Sequence, residues 1–233
     1  MAQRGATQAE GKARAGTRGT APLDEAMRTR LLSAAEHLLE QHGPDGLSIR
    51  ELARECGVST MGIYTLFGGR PGVMQALYAE GFVRLHAHAL SAENREDPGL
   101  WLIGQMVAYR RFAINNVGMY RLMFGGQRRF VPADRNSRFA TLNVPVADAY
   151  PAFAALVDAV TACAAGRSMG AMAMDDVAYA VWAHLHGLVG LEIAGYVAEQ
   201  DAAARFAGAV RMLMCSQFGL DQAEVEERLR HCL

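Results

Sequence analysis

The chain has 233 residues, four of them cysteines, and a formal net charge of -1 at pH 7. A charge this close to zero excludes a uniformly basic, histone-like protein, so any nucleic-acid-binding surface has to be a local patch. No run of about 18 apolar residues occurs, and the N-terminus lacks the apolar core of a signal peptide. The sequence therefore predicts a cytoplasmic protein without a membrane span.

Residues 1–22 differ in composition from the rest of the chain. They are rich in Gly, Ala, Thr and Gln and show no apolar periodicity, which is typical of a disordered segment. Their charged residues are Glu10 against Arg4, Lys12, Arg14 and Arg18. This basic arm is either a solubilising tail or an arm that adds phosphate contacts to a DNA-binding domain.

Residues 23–70 are predicted to form a small three-helix domain. Its first helix is expected over 24–42, where apolar residues recur at helical spacing. Gly43 and Pro44 follow, and they end the helix because proline cannot continue it and glycine favours a turn. Two further helices are expected in the remaining part of this domain.

Residues 48–67 show two short helices joined by a tight turn. Ser48 and Glu51 fit a capping box for the first helix, Gly57 suits the left-handed residue that ends it, and Ser59 suits the N-cap of the second. The residues expected in the interior are Ile49, Leu52, Ala53, Cys56, Ile63 and Phe67. This combination indicates a helix-turn-helix, whose second helix enters the major groove of DNA.

The outward residues of the second helix are the candidates for reading DNA. Thr60 can bond a base edge, Met61 can contact a thymine methyl group, and Gly62 allows close approach of the backbone. Tyr64 is either a phosphate contact or a structural packing residue. The predicted DNA-binding residues are Ser48, Arg50, Ser59, Thr60, Met61, Gly62, Tyr64, Thr65 and Arg70. The N-terminal end of the second helix has no Arg, Asn or Gln, so we expect its direct contacts to bases to be weak. DNA shape or the N-terminal arm would then contribute more to sequence specificity.

Residues 71–233 are predicted to form an α-helical bundle. Their apolar residues recur at helical spacing, and strand patterns are lacking. The fold class expected for the whole chain is therefore all-α. The predicted helices span 71–92, 99–117, 119–124, 151–165, 175–197, 202–218 and 221–229, with a polar connection over 125–145.

The N-terminal domain resembles the tetracycline-repressor (TetR) family of one-component regulators. The Gly57-Val58-Ser59 turn followed by Tyr64 and Phe67 carries this resemblance, and Arg70 stands where the family usually has a lysine. The segment 182–187 is similar to the Trp-x-x-x-His-Gly signature of one of the family's C-terminal domain types. The resemblance implies a homodimer, most simply a repressor, that binds a partly palindromic DNA operator and is released by a small molecule.

The resemblance also implies an effector pocket inside the bundle. His186 is either a ligand contact or a core residue that packs under Trp182, four positions earlier on the same helix face. Glu192 lies in an apolar stretch and needs a partner if it is buried. The candidate pocket residues are Met106, Tyr109, Phe112, Met123, Phe153, Met172, Trp182 and His186.

The last two long helices are the natural dimerisation elements. Small residues in one of them permit close approach, and apolar residues line the other at helical spacing. The predicted interface residues are Gly187, Gly190, Gly195, Phe206, Val210, Leu213 and Met214. The same apolar stripe is equally compatible with the internal core of one chain.

No cofactor or metal is predicted. His86 and His88, like His184 and His186, are two positions apart and so point to different sides of a helix. The four cysteines have no paired spacing and three of them sit among apolar residues, which favours buried small hydrophobic groups over a redox pair.

Two other functions remain as alternatives. An enzyme would need a nucleophile with a base, an acid–base pair or a phosphate loop, and the sequence shows none of these. A DNA-binding dimer without a small-molecule effector, controlled by a protein partner or by its abundance, stays open.

Overall fold

The computed structural model describes residues 20–125, 151–167 and 169–233. Within these ranges the chain forms ten helices and no strand, so the all-α prediction is confirmed. None of the described helices is both long and apolar enough to span a membrane. The helices are α1 (Thr20–Gly46), α2 (Ile49–Cys56), α3 (Thr60–Phe67), α4 (Arg70–Ser91), α5 (Pro98–Asn115), α6 (Val117–Phe124), α7 (Pro151–Ala164), α8 (Met174–Ile193), α9 (Glu199–Phe218) and α10 (Gln222–Cys232).

Helix α1 begins earlier than its sequence pattern predicts. It starts at Thr20, so the last residues of the predicted disordered arm are helical, while residues 1–19 lie outside the described part of the chain. Near the other end, Gly43 adopts φ 68° and ψ 179° and separates the long part of the helix from a last turn that contains Pro44. The predicted stop is therefore present as a kink. The polar connection over 125–145 lies almost wholly outside the described residues.

The turn between α2 and α3 has the predicted geometry. Gly57 is left-handed, with φ 63°, and the backbone N–H of Val58 donates to the carbonyl of Ala53 at 3.0 Å. The N–H of Gly57 donates to the carbonyl of Arg54 at 3.3 Å, which completes a Schellman cap. The side chain of Ser59 accepts from the N–H of Gly62 at 3.1 Å, so its N-cap role is confirmed.

The capping box predicted for α2 is wrong. Ser48 stands at the N-cap in an extended conformation, but its side chain makes no capping hydrogen bond. Glu51 does not reach back to Ser48, because its carboxylate accepts from Arg54 one turn later at 3.2 Å. The first turn of α2 thus lacks a side-chain cap from Ser48.

Helix α1 is bonded to two helices of the bundle. We call α1 to α3 the head and α4 to α10 the body. Arg84 of α4 donates to both carboxylate oxygens of Glu36 on α1 and also bonds Glu80 at 2.9 Å. Glu40 of α1 accepts the backbone N–H groups of Gly118 and Met119 at 2.7 and 2.9 Å, and so caps the N-terminus of α6. Both contacts join the head directly to the bundle.

Helix α9 buries its apolar stripe inside the chain. Phe206, Val210 and Met214 are fully or nearly fully buried and belong to the continuous core, so their assignment to a dimer interface is wrong. The helical spacing identifies a buried face without identifying what buries it. Here the neighbouring helices of the same chain do so.

Candidate DNA-binding surface and effector cavity

Helix α3 presents the predicted reading residues to solvent. Met61 is 71% exposed and Tyr64 is 55% exposed, whereas Ile63 between them is fully buried. Thr60 and Thr65 are exposed as well. The hydroxyl of Thr65 donates to the carbonyl of Met61 at 3.0 Å, so its oxygen remains available as an acceptor only. The surface is hydroxylic and apolar, as its sequence indicates.

Gly62 has no packing reason to be glycine. A Cβ at this position would meet only the hydroxyl oxygen of Ser59, at 3.7 Å, which is an ordinary contact. The backbone is helical, so it needs no positive φ. A glycine in a helix costs about 0.5–1 kcal/mol relative to alanine. The missing side chain is therefore consistent with close approach of another molecule to α3.

Tyr64 combines the two roles that its sequence leaves open. Its ring packs on Gly69, where an added Cβ would lie 2.7 Å from ring carbon Cε1. Gly69 also has φ 94°, a conformation that favours glycine. More than half of the tyrosine nevertheless remains in solvent, beside the exposed end of α3.

Arg70 does not stand free as the predicted phosphate contact. Its Nε donates to the carbonyl of Leu47 at 2.9 Å, and its Nη2 donates to the carbonyl of Pro44 at 2.5 Å. These bonds tie the start of α4 to the turn before α2. Arg50, in contrast, is exposed and has no ion pair among the described residues.

A cavity of about 150 Å³ lies among helices α4 to α8. Four of the predicted pocket residues line it, namely Tyr109, Met123, Phe153 and Trp182. The wall also contains aromatic residues that the sequence did not single out, Tyr78, Phe82 and Phe124. In the sequence, Tyr78 and Phe82 of α4 cannot be distinguished from core residues, because periodicity identifies a buried face but not a cavity beside it.

Other predicted pocket residues lie elsewhere, so their assignment to the cavity wall is wrong. Met106 is fully buried in the core, and the ring of Phe112 packs edge-on against His88 with centroids 5.7 Å apart. Met172 is exposed near the start of α8. His186 does not line the cavity but lies behind it, in contact with the wall residues.

Gln105 is the polar group of the cavity wall that the sequence pattern hides. It is only 5% exposed, and its Nε2 donates to the backbone carbonyl of Ala155 at 3.0 Å. The amide oxygen has no hydrogen-bond partner within the described residues. A glutamine inside an otherwise apolar helix face is the signal that could have identified it.

Models of two known protein families match the chain. Residues 31–77 match bacterial regulatory proteins of the tetR family, and residues 102–230 match the tetracyclin repressor-like C-terminal domain. The chain belongs to the tetR family. No curated protein matches the sequence.

Solved structures share the TetR fold over most of their length. A Rhodococcus sp. RHA1 protein of unknown function is 27% identical, with TM-score 0.61 over 87% of this chain and 98% of the other. PfmR, a TetR family transcriptional regulator from Thermus thermophilus, is 21% identical, with TM-score 0.58 over 78% and 97%. The resorcinol complex of RolR is 18% identical, with TM-score 0.55 over 90% and 95%.

Behind the cavity of this TetR protein, three polar side chains bond to one another. The hydroxyl of Tyr120 bonds Nδ1 of His186 at 2.7 Å, and that of Tyr109 approaches the same atom at 3.1 Å and Tyr120 at 3.3 Å. Burial lowers the pKa of His186, and burial raises the pKa of Tyr120 to about 12 and that of Tyr109 further. The imidazole is therefore neutral at pH 7, and its tautomer decides whether Nδ1 accepts from a tyrosine hydroxyl or donates to one. This buried neutral cluster supports the core interpretation of His186.

We expect His186 to make stability depend on pH. Because its pKa in the folded state lies below the unfolded value of about 6.5, its contribution is complete above that value and declines as the pH falls toward the folded pKa. The melting temperature of the wild type should fall more between pH 7.5 and 5 than that of His186→Gln, which accepts a hydrogen bond but does not titrate. Met172→Ala, an exposed change that removes no titratable group, should keep the full pH dependence. Equal slopes for all three proteins would contradict the assignment.

Besides their buried residues, helices α8 and α9 have small and apolar residues that are exposed to solvent. Gly187 and Gly190 have no atom within 4 Å of an added Cβ, so packing within the chain does not require glycine there. Gly195 has φ 78° just after α8, which explains its identity without an interface. Leu213 is half-buried against the core. Larger apolar side chains on this face are Tyr179, Leu191 and Met212.

Proposed function

We propose that the protein is a homodimeric repressor of transcription that releases its operator when a small molecule occupies the cavity. As a TetR-family regulator it would act on DNA in the cytoplasm. The observation that carries the proposal is that α4 and α6 both line the cavity and both bond to α1 of the head. A ligand that displaces either helix would therefore act on the position of the head.

On DNA, α3 would enter the major groove by its N-terminal end. Thr60 and Met61 would contact bases, and Gly62 would admit the backbone. Tyr64, Thr65, Ser59, Ser48 and Arg50 would contact phosphates and the groove edge. Two heads related by a two-fold axis would bind half-sites about one helical turn apart, roughly 34 Å.

Dimerisation would use the exposed face of α8 and α9. Gly187 and Gly190 would let a partner helix approach closely, with Leu191 and Met212 filling the contact. The buried stripe of α9 has no part in this interface. The exposed small and apolar side chains on two adjacent helices support this choice.

Effector binding would shift the spacing of the two heads. Met123 and Phe124 line the cavity at the end of α6, whose beginning is held by Glu40 of α1. A coupling of about 1–3 kcal/mol between cavity and head is the usual size of such an effect. The neighbour solved with resorcinol supports a small-molecule effector for this fold. The cavity favours this function over a regulator without an effector.

The test is a mobility-shift titration on an operator selected by the wild-type protein from random duplexes. Tyr64→Ala should weaken binding to operator and random DNA alike, because it removes a phosphate contact. Tyr64→Phe keeps the packing of the ring on Gly69 and therefore shows how much of the effect comes from the hydroxyl group alone. Thr60→Ala should change the selected sequence, because it removes a base contact.

Gly62→Ala distinguishes recognition from folding. It should raise the free energy of unfolding by about 0.5–1 kcal/mol while it lowers affinity for the operator. Met172→Ala, an exposed change outside the head, is the control and should alter neither affinity nor sequence preference. If Tyr64→Ala and Thr60→Ala both left affinity and selected sequence unchanged, α3 would not be the reading helix.

A further inference from the structure

We propose that the effector is an uncharged molecule about the size of one substituted benzene ring, with a hydroxyl or amino group that donates to the amide oxygen of Gln105. This proposal rests on the function given above and names the ligand class of the same cavity. The size, charge and polarity of the wall each restrict that class.

The volume of the cavity restricts the size of the ligand. The space of about 150 Å³ is similar in size to an engineered apolar cavity, also about 150 Å³, that binds benzene. A single ring with one or two small substituents therefore fits. Two fused rings would require the wall to move.

The charge of the wall restricts the ligand to neutral molecules. Within the described residues the lining contains no Asp, Glu, Lys, Arg or His. A carboxylate or ammonium group placed there would lose its hydration without gaining a counter-ion, which strongly disfavours its binding. The nearby ion pairs lie outside the lining. Arg84 with Glu36 joins α4 to α1, and Arg110 with Glu192 joins α5 to α8.

The aromatic wall favours a flat ring. Six aromatic residues line the cavity, and neighbouring pairs meet at inclined angles. The rings of Phe153 and Trp182 are 6.0 Å apart and nearly perpendicular, and those of Phe124 and Trp182 are 6.1 Å apart at 57°. Such inclined faces and edges give a bound ring offset-stacked and edge-to-face partners, which stabilise it beyond the burial of its surface.

Gln105 supplies the polar selectivity. Its amide nitrogen is committed to the carbonyl of Ala155, and its amide oxygen lacks a partner within the described residues although the side chain is 95% buried. Tyr109 is another polar residue of the wall, but its hydroxyl already bonds Tyr120 and His186 behind the cavity. The amide oxygen of Gln105 is not one of the fully enclosed unpaired polar atoms of the described residues, so a molecule in the cavity can reach it. A donor on the ligand would bond it, and a ligand without one would displace water and leave it unpaired.

The test is isothermal titration of the full-length protein with four probes, namely phenol, toluene, benzoate and 2-naphthol, at pH 7.5. Phenol should bind about 5- to 10-fold more tightly than toluene, since a hydrogen bond contributes about 1 kcal/mol. Benzoate should not bind, because it is charged, and 2-naphthol should bind more weakly than phenol. Phe153→Ala enlarges the cavity and should reverse the order of phenol and 2-naphthol.

Gln105→Leu tests the donor directly. It keeps the volume of the side chain and should reduce the affinity for phenol to that for toluene, with the circular dichroism spectrum as the check on folding. The phenol-to-toluene ratio of the wild type tests the same point if that variant fails to fold. Benzoate binding as tightly as phenol, 2-naphthol binding more tightly than phenol to the wild type, or no binding of any probe would overturn the proposal.

A parallel mobility-shift assay with phenol separates this proposal from the proposed function. Binding of phenol without release of the operator would overturn the release mechanism and support the ligand class. Release by a charged or much larger compound, with no effect of phenol, would overturn the ligand class and support the ligand-responsive regulator.

Discussion

Replacing Arg110 by methionine is expected to lower the free energy of unfolding by about 3–5 kcal/mol. Arg110 and Glu192 join α5 to α8 through two parallel hydrogen bonds of 2.8 and 2.6 Å. Their side chains are only 14% and 17% exposed. The change would leave the mostly buried carboxylate of Glu192 without its partner, and it would also remove the guanidinium that lies over the ring of Phe206.

Two matched variants make this expectation specific. Replacing both partners, Arg110→Met with Glu192→Leu, should recover most of the loss, because an apolar pair leaves no buried charge. Arg211→Met removes a pair with Glu226 whose side chains are 43% and 39% exposed, and it should cost far less, because solvent screens an exposed pair. Urea unfolding followed by circular dichroism measures all three. Similar losses for Arg110→Met and Arg211→Met would contradict the buried role of the first pair.

An alanine at position 118 is expected to disrupt the contact between α6 and α1. Its Cβ would stand 2.5 Å from the carbonyl oxygen of Leu39 and 2.9 Å from the Cα of Glu40. Both are backbone atoms of a helix, so neither can rotate away. The two helices would have to separate, which would also lengthen the bonds from Glu40 to Gly118 and Met119. We expect a loss of about 1–3 kcal/mol or more.

Gly62→Ala is the matched control for Gly118→Ala. Both replace a helical glycine by alanine, but only position 118 lacks space for the added methyl group. The thermal midpoint should therefore move in opposite directions, downward for position 118 and upward for position 62. A stabilised Gly118→Ala protein would show that the helices separate easily and that the contact is loose.

Local features of the head could be predicted from the sequence because they depend on neighbouring residues. The left-handed Gly57 and the cap of Ser59 are properties of a few consecutive positions. The predicted capping box also depends on neighbouring residues, but it does not form, because Glu51 pairs with Arg54 instead of with Ser48. Local patterns therefore narrow the geometry without deciding between two partners within one turn of a helix.

Long-range partners could not be predicted. Glu192 required a partner, but nothing in its surroundings in the sequence points to Arg110, 82 positions earlier. Arg70 looked like a free cation, because its acceptors are backbone carbonyls that carry no sequence signal. The stripe of α9 followed helical spacing correctly, yet spacing does not tell whether the covering helices belong to the same chain. The cavity escaped prediction for a related reason, since it is a gap between several faces that each resemble core.

The two carboxylates on α1 also limit how interchangeable the parts of this protein are. Glu36 and Glu40 belong to the head by position in the chain, but their hydrogen bonds go to α4 and α6 of the body. A chimera that joins a different TetR head to this body would lose both attachments unless the new first helix carried acidic residues at the same two positions. Transplanting DNA specificity should therefore succeed more often by exchanging the exposed face of α3 than by exchanging the whole head.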